Sequence, residues 1–214
     1  MASSCYICCY DFETSGINPE ICQPLSLGAV IIHPKKLEIV EGGEFYSLIK
    51  PENIEDISKE ALDVNKLDLE ELKLAPDIKT VWNNFTVFLK QYQTGKNSWS
   101  KPIRAGYNIW AYDEVIINRL AKRFGTVDKE GRADVFHPRD SFDALTHIFA
   151  HLESSDIRSY SFDNIRTYMG MKSEGQTHNA LTDAKDAARL IIRLLNFYRK
   201  MNSAEKFKGA FVNG

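Results

Sequence analysis

The stretch Cys5-Tyr6-Ile7-Cys8-Cys9-Tyr10-Asp11-Phe12-Glu13-Thr14-Ser15-Gly16 decides the fold. It begins as an apolar run rich in Tyr, Ile and Cys and ends in two acids and a turn. Cys5 to Phe12 reads as a buried first strand. Residues two apart on a strand share a face, so Asp11 and Glu13 point one way and Phe12 the other. Two carboxylates side by side at the end of a buried strand repel each other, and a divalent cation removes that cost. Strand-end solvation before the Ser15-Gly16 turn is the plainer reading of the same residues.

Working outward, Ile17-Asn18-Pro19-Glu20 is a turn. Leu25 to Ile32 is a second strand, and Ile39 to Ile49 a third, bulged at Gly42-Gly43. Short connections make these an antiparallel meander. The period then changes. Helices are expected at Ser58–Asn65, Asp77–Tyr92, Ala111–Phe124, Ser141–Leu152, Ser161–Tyr168 and Asn179–Lys200. Ile103 to Tyr107 is a short strand, and Gly131 to Arg139 is expected to hide a fifth. The fold class is α/β, a sheet of mixed direction flanked by helices. No internal repeat or linker divides the chain, so residues 1–202 read as one domain and 203–214 as a flexible tail.

Composition narrows the function. The chain has 214 residues, of which 43% are hydrophobic and 26% charged, with a net charge of -2, the balance of a globular protein and not of a polycation. That balance leaves nucleic acid open as a substrate, because an acidic metal site offsets basic residues in the total. No run reaches the ~20 apolar residues of a membrane span. The N-terminus lacks the basic start of a secretory signal. The pair Cys5 and Cys8 has zinc spacing, but strand residues three apart face opposite ways. Cys5, Cys8, Cys9 and Cys22 therefore read as buried reduced thiols, which fits a cytoplasmic protein. There is no G-x-G-x-x-G, P-loop or G-x-S-x-G elbow. Asn84-Phe85-Thr86 matches a glycosylation site by chance, inside an expected helix.

Two further acids fall on inward helix faces. Asp113 shares a stripe with Ile117, Leu120 and Phe124, at spacings of 4, 3 and 4. An inward carboxylate is rarely left alone; it pairs or meets a metal. A helix-start Asp facing the macrodipole is the competing explanation. Asp183 heads a stripe with Ala187, Leu194 and Tyr198, and His178 precedes it on a loop. Asp186 competes with Asp183; the spacing from His178 favours Asp183. Four carboxylates and an imidazole, carried on a strand end and two helix starts, suit two-metal phosphoryl chemistry.

The sequence resembles the DEDDh exonucleases of the ribonuclease H-like fold, the superfamily of the polymerase III proofreading subunit, oligoribonuclease, ribonuclease T and bacterial exonuclease I. Asp11-Phe12-Glu13-Thr14-Ser15-Gly16 matches the first motif, Gly106-Tyr107-Asn108 through Asp113-Glu114 the second, and His178 with Asp183 the H-x4-D of the third. Pro24-Leu25-Ser26-Leu27-Gly28-Ala29-Val30 also looks like a family segment. One departure is informative: many members have N-x3-D in the second motif, whereas four residues separate Asn108 from Asp113, as in the exonuclease I branch.

The resemblance implies a ribonuclease H-like mixed five-stranded sheet and a 3′–5′ exonuclease. It implies two divalent cations, Mg2+ or Mn2+, held by Asp11, Glu13, Asp113 and Asp183, with His178 as the base that activates water. It also implies release of 5′-mononucleotides. Thr14 and Ser15 are expected at the terminal 3′-hydroxyl. Asn108, Trp110 and Tyr112 are expected near a base, with core packing the alternative for Trp110. The expected partner is nucleic acid with a free 3′ end: DNA first, as single strands or frayed ends, then RNA. A polymerase or a replication and repair assembly is a further expected partner. A catalytically idle binding module is the third reading, but such modules usually lose an acid and none is missing here.

Overall fold

The computed structural model describes residues 5–173, 175 and 178–204. The opening run forms β1 (Ile7–Thr14), which carries both acids within the strand. It extends past Phe12 because pairing with β2 (Pro24–Ile32) continues through Glu13 opposite Ser26 and Thr14 opposite Pro24. β3 (Ile39–Leu48) adds antiparallel to β2. Its register breaks between Ile39 opposite Ile32 and Glu44 opposite Val30, so the expected bulge includes Gly42-Gly43, with Gly42 at φ +70°.

β4 (Ile103–Gly106) lies parallel to β1 on its other side, and β5 (Ser141–Asp143) lies parallel to β4. The sheet order is β3-β2-β1-β4-β5. This is the mixed five-stranded sheet that was expected, but the fifth strand is not in residues 131–139. It is Ser141–Asp143, the residues expected to open a helix. A three-residue strand is too short to show a period, and its Asp143 also caps the helix that follows, accepting a hydrogen bond from Leu145 N at 3.0 Å.

The helices are α1 (Lys59–Asn65), α2 (Leu69–Leu74), α3 (Ile78–Gln91), α4 (Asp113–Arg123), α5 (Ala144–Leu152), α6 (Phe162–Tyr168) and α7 (Ala180–Ala204). α2 was not expected, and α4 starts at Asp113 because Ile109–Ala111 forms a separate 3-10 turn. α7 runs through Ser203 and Ala204, two residues assigned above to a tail; 205–214 lie outside the described residues.

Strand periodicity sorts the core into two layers. Cys8, Tyr10, Phe12, Leu27, Ala29 and Ile31 pack on one face of the sheet against α3 and α4. Ile7, Cys9, Val30, Ile32, Ile103 and Ala105 pack on the other against α5, α6 and α7. Cys5 and Cys8 fall in different layers, and all four cysteines are buried. Asp11 and Glu13 continue the face of Ile7 and Cys9, the face that receives α7. Among the described residues, no helix is long and apolar enough to cross a membrane.

Candidate active site

The contact that brings the acids together is made by a glycine. Gly28 is paired with Asp11 across β1 and β2. A Cβ at Gly28 would stand 2.2 Å from the backbone of Ala180 and Leu181. Only a residue without a side chain lets the start of α7 rest directly on the sheet there. Asp183, in the first turn of α7, thereby meets β1, and ligand oxygens of Asp11, Glu13 and Asp183 lie within 4.8 Å of one another.

Asp113 arrives from the opposite side. Its Oδ1 accepts a hydrogen bond from Phe12 N at 3.0 Å, which sets it against the main chain between Asp11 and Glu13. The turn before it is held by Asp143, whose carboxylate accepts from Asn108 N at 2.8 Å and Trp110 N at 3.2 Å. Asn108 takes a left-handed conformation, φ +58°, which Asn tolerates better than most residues. Behind Asp113, buried Glu114 accepts from Tyr10 OH at 2.9 Å and pairs with buried Arg104. This network anchors α4 to β1 and β4.

A cavity of about 360 Å3 opens over these residues. Asp11, Glu13, Asp113, Asp183, His178, Asn108 and Tyr112 all line it. His178, at φ +59°, has its Nε2 3.7 Å from Asp163 Oδ2. Asp186 is 1% exposed and is held by the Ser173 hydroxyl and by Arg189 at 3.0 Å, away from the three-carboxylate group. The structure thus separates Asp183 from its competitor.

The remaining candidates divide. Thr14 borders a second cleft of about 540 Å3, shared with Phe12, Glu13, Ile17, Val64 and Tyr112, and its hydroxyl bonds Gly16 O at 2.8 Å. Ser15 is buried: its N donates to Gln23 O at 2.9 Å and its Oγ accepts from Gln23 N at 3.0 Å. It lines neither space. Trp110 is 52% exposed, so it is not a core residue, and it stands outside the cavity wall. Arg166 and Asp163 were not anticipated, although Asp163-x2-Arg166 beside apolar Phe162 and Ile165 places a cation on a short helix that must bury a face. Arg166 Nη2 donates to Asp183 Oδ1 at 2.5 Å.

The electrostatics follow from crowding. Burial, followed by the charges of Asp113, Glu13 and Asp183, pushes the Asp11 carboxyl well above its usual range, and Arg166 opposes the rise. Burial and then Asp183 and Asp113 push Glu13 up to about 8. Burial raises Asp113 to about 7 against the hydrogen bonds from Phe12 and its own backbone. Asp183 is also raised, by burial, while Arg166 and His178 hold it down. Hard oxygen donors that resist ionising together fit a divalent cation, which would stabilise their charged forms.

Comparison with known proteins agrees with this geometry. The sequence matches the RNase T exonuclease family over residues 8–191. It is 26% identical over 191 residues to a protein of Thermotoga maritima named DNA polymerase III PolC-type, a match that covers 89% of this chain and 12% of that one. The chain therefore spans about an eighth of that relative's length. The nuclease domain of 3′hExo, solved bound to rAMP, superposes with a TM-score of 0.68 at 17% identity, over 90% of this chain and 92% of that one. Escherichia coli exonuclease I, solved with an oligonucleotide, superposes with a TM-score of 0.67 at 14% identity, over 92% of this chain and 43% of that one. The family match spans most of the chain, the fold agrees, and four acids and a histidine line one cavity: the chain belongs to the RNase T exonuclease family.

Proposed function

We propose that this chain removes nucleotides from the 3′ end of DNA, preferring single strands or frayed ends, and releases 5′-mononucleotides. The observation that carries the reading is the convergence of β1, α4 and α7 acids in one open cavity with His178 on its wall. Asp11, Glu13 and Asp183 would hold a divalent cation, and Asp113, fixed on Phe12 N, would support a second. Two such cations, Mg2+ or Mn2+, would supply charge stabilisation to the attacking and leaving oxygens. His178 takes the proton of the attacking water on an imidazole nitrogen, and Asp163 stands 3.7 Å from its Nε2.

The terminal nucleoside fits the second cleft, between Ile17 and Val64 on the apolar side and Thr14 and Tyr112 on the polar side. Asn108, which lines the cavity, would meet the preceding phosphate or sugar. Trp110 offers an exposed ring for stacking beyond it. Ser15 acts through the turn that its hydroxyl holds by accepting from Gln23 N.

DNA is favoured by the polymerase relative and by the long spacing between Asn108 and Asp113. A polymerase is the partner that relative suggests, and buried reduced thiols suit the cytoplasm. RNA is the second reading, supported by the near full-length superposition on the 3′hExo domain. Matched 5′-labelled DNA and RNA oligonucleotides, digested with Mg2+ and run on a gel, test the proposal. A ladder shortening from the 3′ end, faster on DNA and lost in Asp11→Ala, is expected. A faster RNA ladder would shift the substrate class, and a ladder that survives Asp11→Ala would reject the site.

A further inference from the structure

A guanidinium is an odd guest in a cavity that must receive cations. Arg166 is 5% exposed and its Nη2 bonds Asp183, a member of the three-carboxylate group. Its Nη1 bonds Asp163 Oδ1 at 3.0 Å, and its Nε stands 3.4 Å from Asp186 Oδ2 without hydrogen-bond alignment. The Phe162 ring lies 4.0 Å from its Cζ, and the Tyr107 ring stacks on Phe162 at 4.4 Å. By Coulomb's law this cation opposes any divalent ion that shares Asp183. A site built for cation affinity alone would carry an apolar residue here.

The fork supplies something else. One planar group reaches Asp183 and Asp163 together, and Asp163 faces His178. Through Asp186 it also reaches Ser173, in the segment leading to His178. A lysine, with one compact ammonium, cannot hold both carboxylates in this way. We propose that Arg166 is a positioning residue that clamps the α7 carboxylate and the His178 partner into one geometry, at the expense of cation affinity. The inference rests on the nuclease reading for its rate effect, but not for its effect on cation binding.

The test compares the full chain with Arg166→Lys and Arg166→Met. Mn2+ binding is read by electron paramagnetic resonance without nucleic acid, cleavage by single-turnover digestion of a DNA oligonucleotide, and folding by circular dichroism. Arg166→Met should bind Mn2+ about fivefold tighter, because an opposing charge is gone. It should cleave about a hundredfold more slowly, because the two carboxylates are no longer held in register. Arg166→Lys keeps the charge and loses the fork, so its Mn2+ affinity should stay within about twofold while cleavage falls about tenfold. A purely structural role would loosen both together. Equal or weaker Mn2+ binding by folded Arg166→Met, or full-rate cleavage by Arg166→Lys, overturns the proposal. Should Arg166→Met not fold, the lysine variant decides. Should the wild type bind Mn2+ and cut neither DNA nor RNA, the nuclease reading fails, and the Mn2+ comparison still decides the charge effect.

Discussion

Glu13 and Asp113 keep their protons up to about 8 and about 7 because burial penalises the charged forms and neighbouring carboxylates add to it. Folded protein therefore binds these protons more tightly than unfolded chain does. The stability this lends is full below the ordinary carboxyl range and is lost as pH rises through 7 and 8. Thermal unfolding in EDTA should show Tm falling from about pH 5 to about pH 8, with Mn2+ flattening the fall. A Tm that climbs over that range would mean the carboxylates do not crowd one another. Glu13→Gln removes one charge from the cluster, so it should be on the order of 1 kcal/mol more stable than wild type at pH 8 in EDTA. The same variant should lose nearly all cleavage; denaturant titration and the oligonucleotide assay check the pair. At this scale the sequence was informative where spacing fixes direction: two residues along a strand put Asp11 and Glu13 on one face. It showed the i,i+3 pair Asp163–Arg166 but was silent on what that pair meets, because Asp183 and His178 come from other parts of the chain and leave no local pattern.

Gly28 governs how elements meet. An added Cβ would press on the backbone of Ala180 and Leu181, and neither can yield without lifting the start of α7. Gly28→Ala should cost about 1–3 kcal/mol of stability, as overpacking does, and weaken Mn2+ binding by moving Asp183. Denaturant unfolding and Mn2+ titration read the two effects; a variant with normal Mn2+ affinity would show that α7 is placed by other contacts. Long periodic elements such as α3 were legible because their buried stripe, Ile78, Val81, Trp82, Phe85, Phe88 and Leu89, repeats at helical spacing. β5 and α2 were not, since three and six residues are too few to show a period. The cost of missing β5 was functional: Asp143 at its end fixes the Asn108–Trp110 turn through two backbone hydrogen bonds.

For the whole molecule, the sheet is a three-layer sandwich whose central strand, β1, carries two acids at its carboxyl end. Parallel β4 ends beside it, and the chain turns there into α4. Open α/β sheets bind ligands at such carboxyl ends, where helices on both faces can contribute. That is why acids more than 170 positions apart in sequence share one cavity. A cation bound only by the folded state should raise stability by about 2.7 kcal/mol at a hundred times its Kd. For a chain of this size that is roughly 5–10 °C in Tm. Asp11→Asn should abolish most of the shift in a thermal scan with Mn2+; an undiminished shift would place the ion elsewhere.

The central claim is that Asp11, Glu13 and Asp183 hold one divalent cation and that Asp113 supports a second beside it. Anomalous diffraction at the manganese edge, from a crystal of the full chain soaked in Mn2+ with a 5′-mononucleotide, tests it most directly. The account predicts anomalous density between Asp11, Glu13 and Asp183, with a second peak on the Asp113 side. Density bound elsewhere, with these four carboxylates bare, would contradict it.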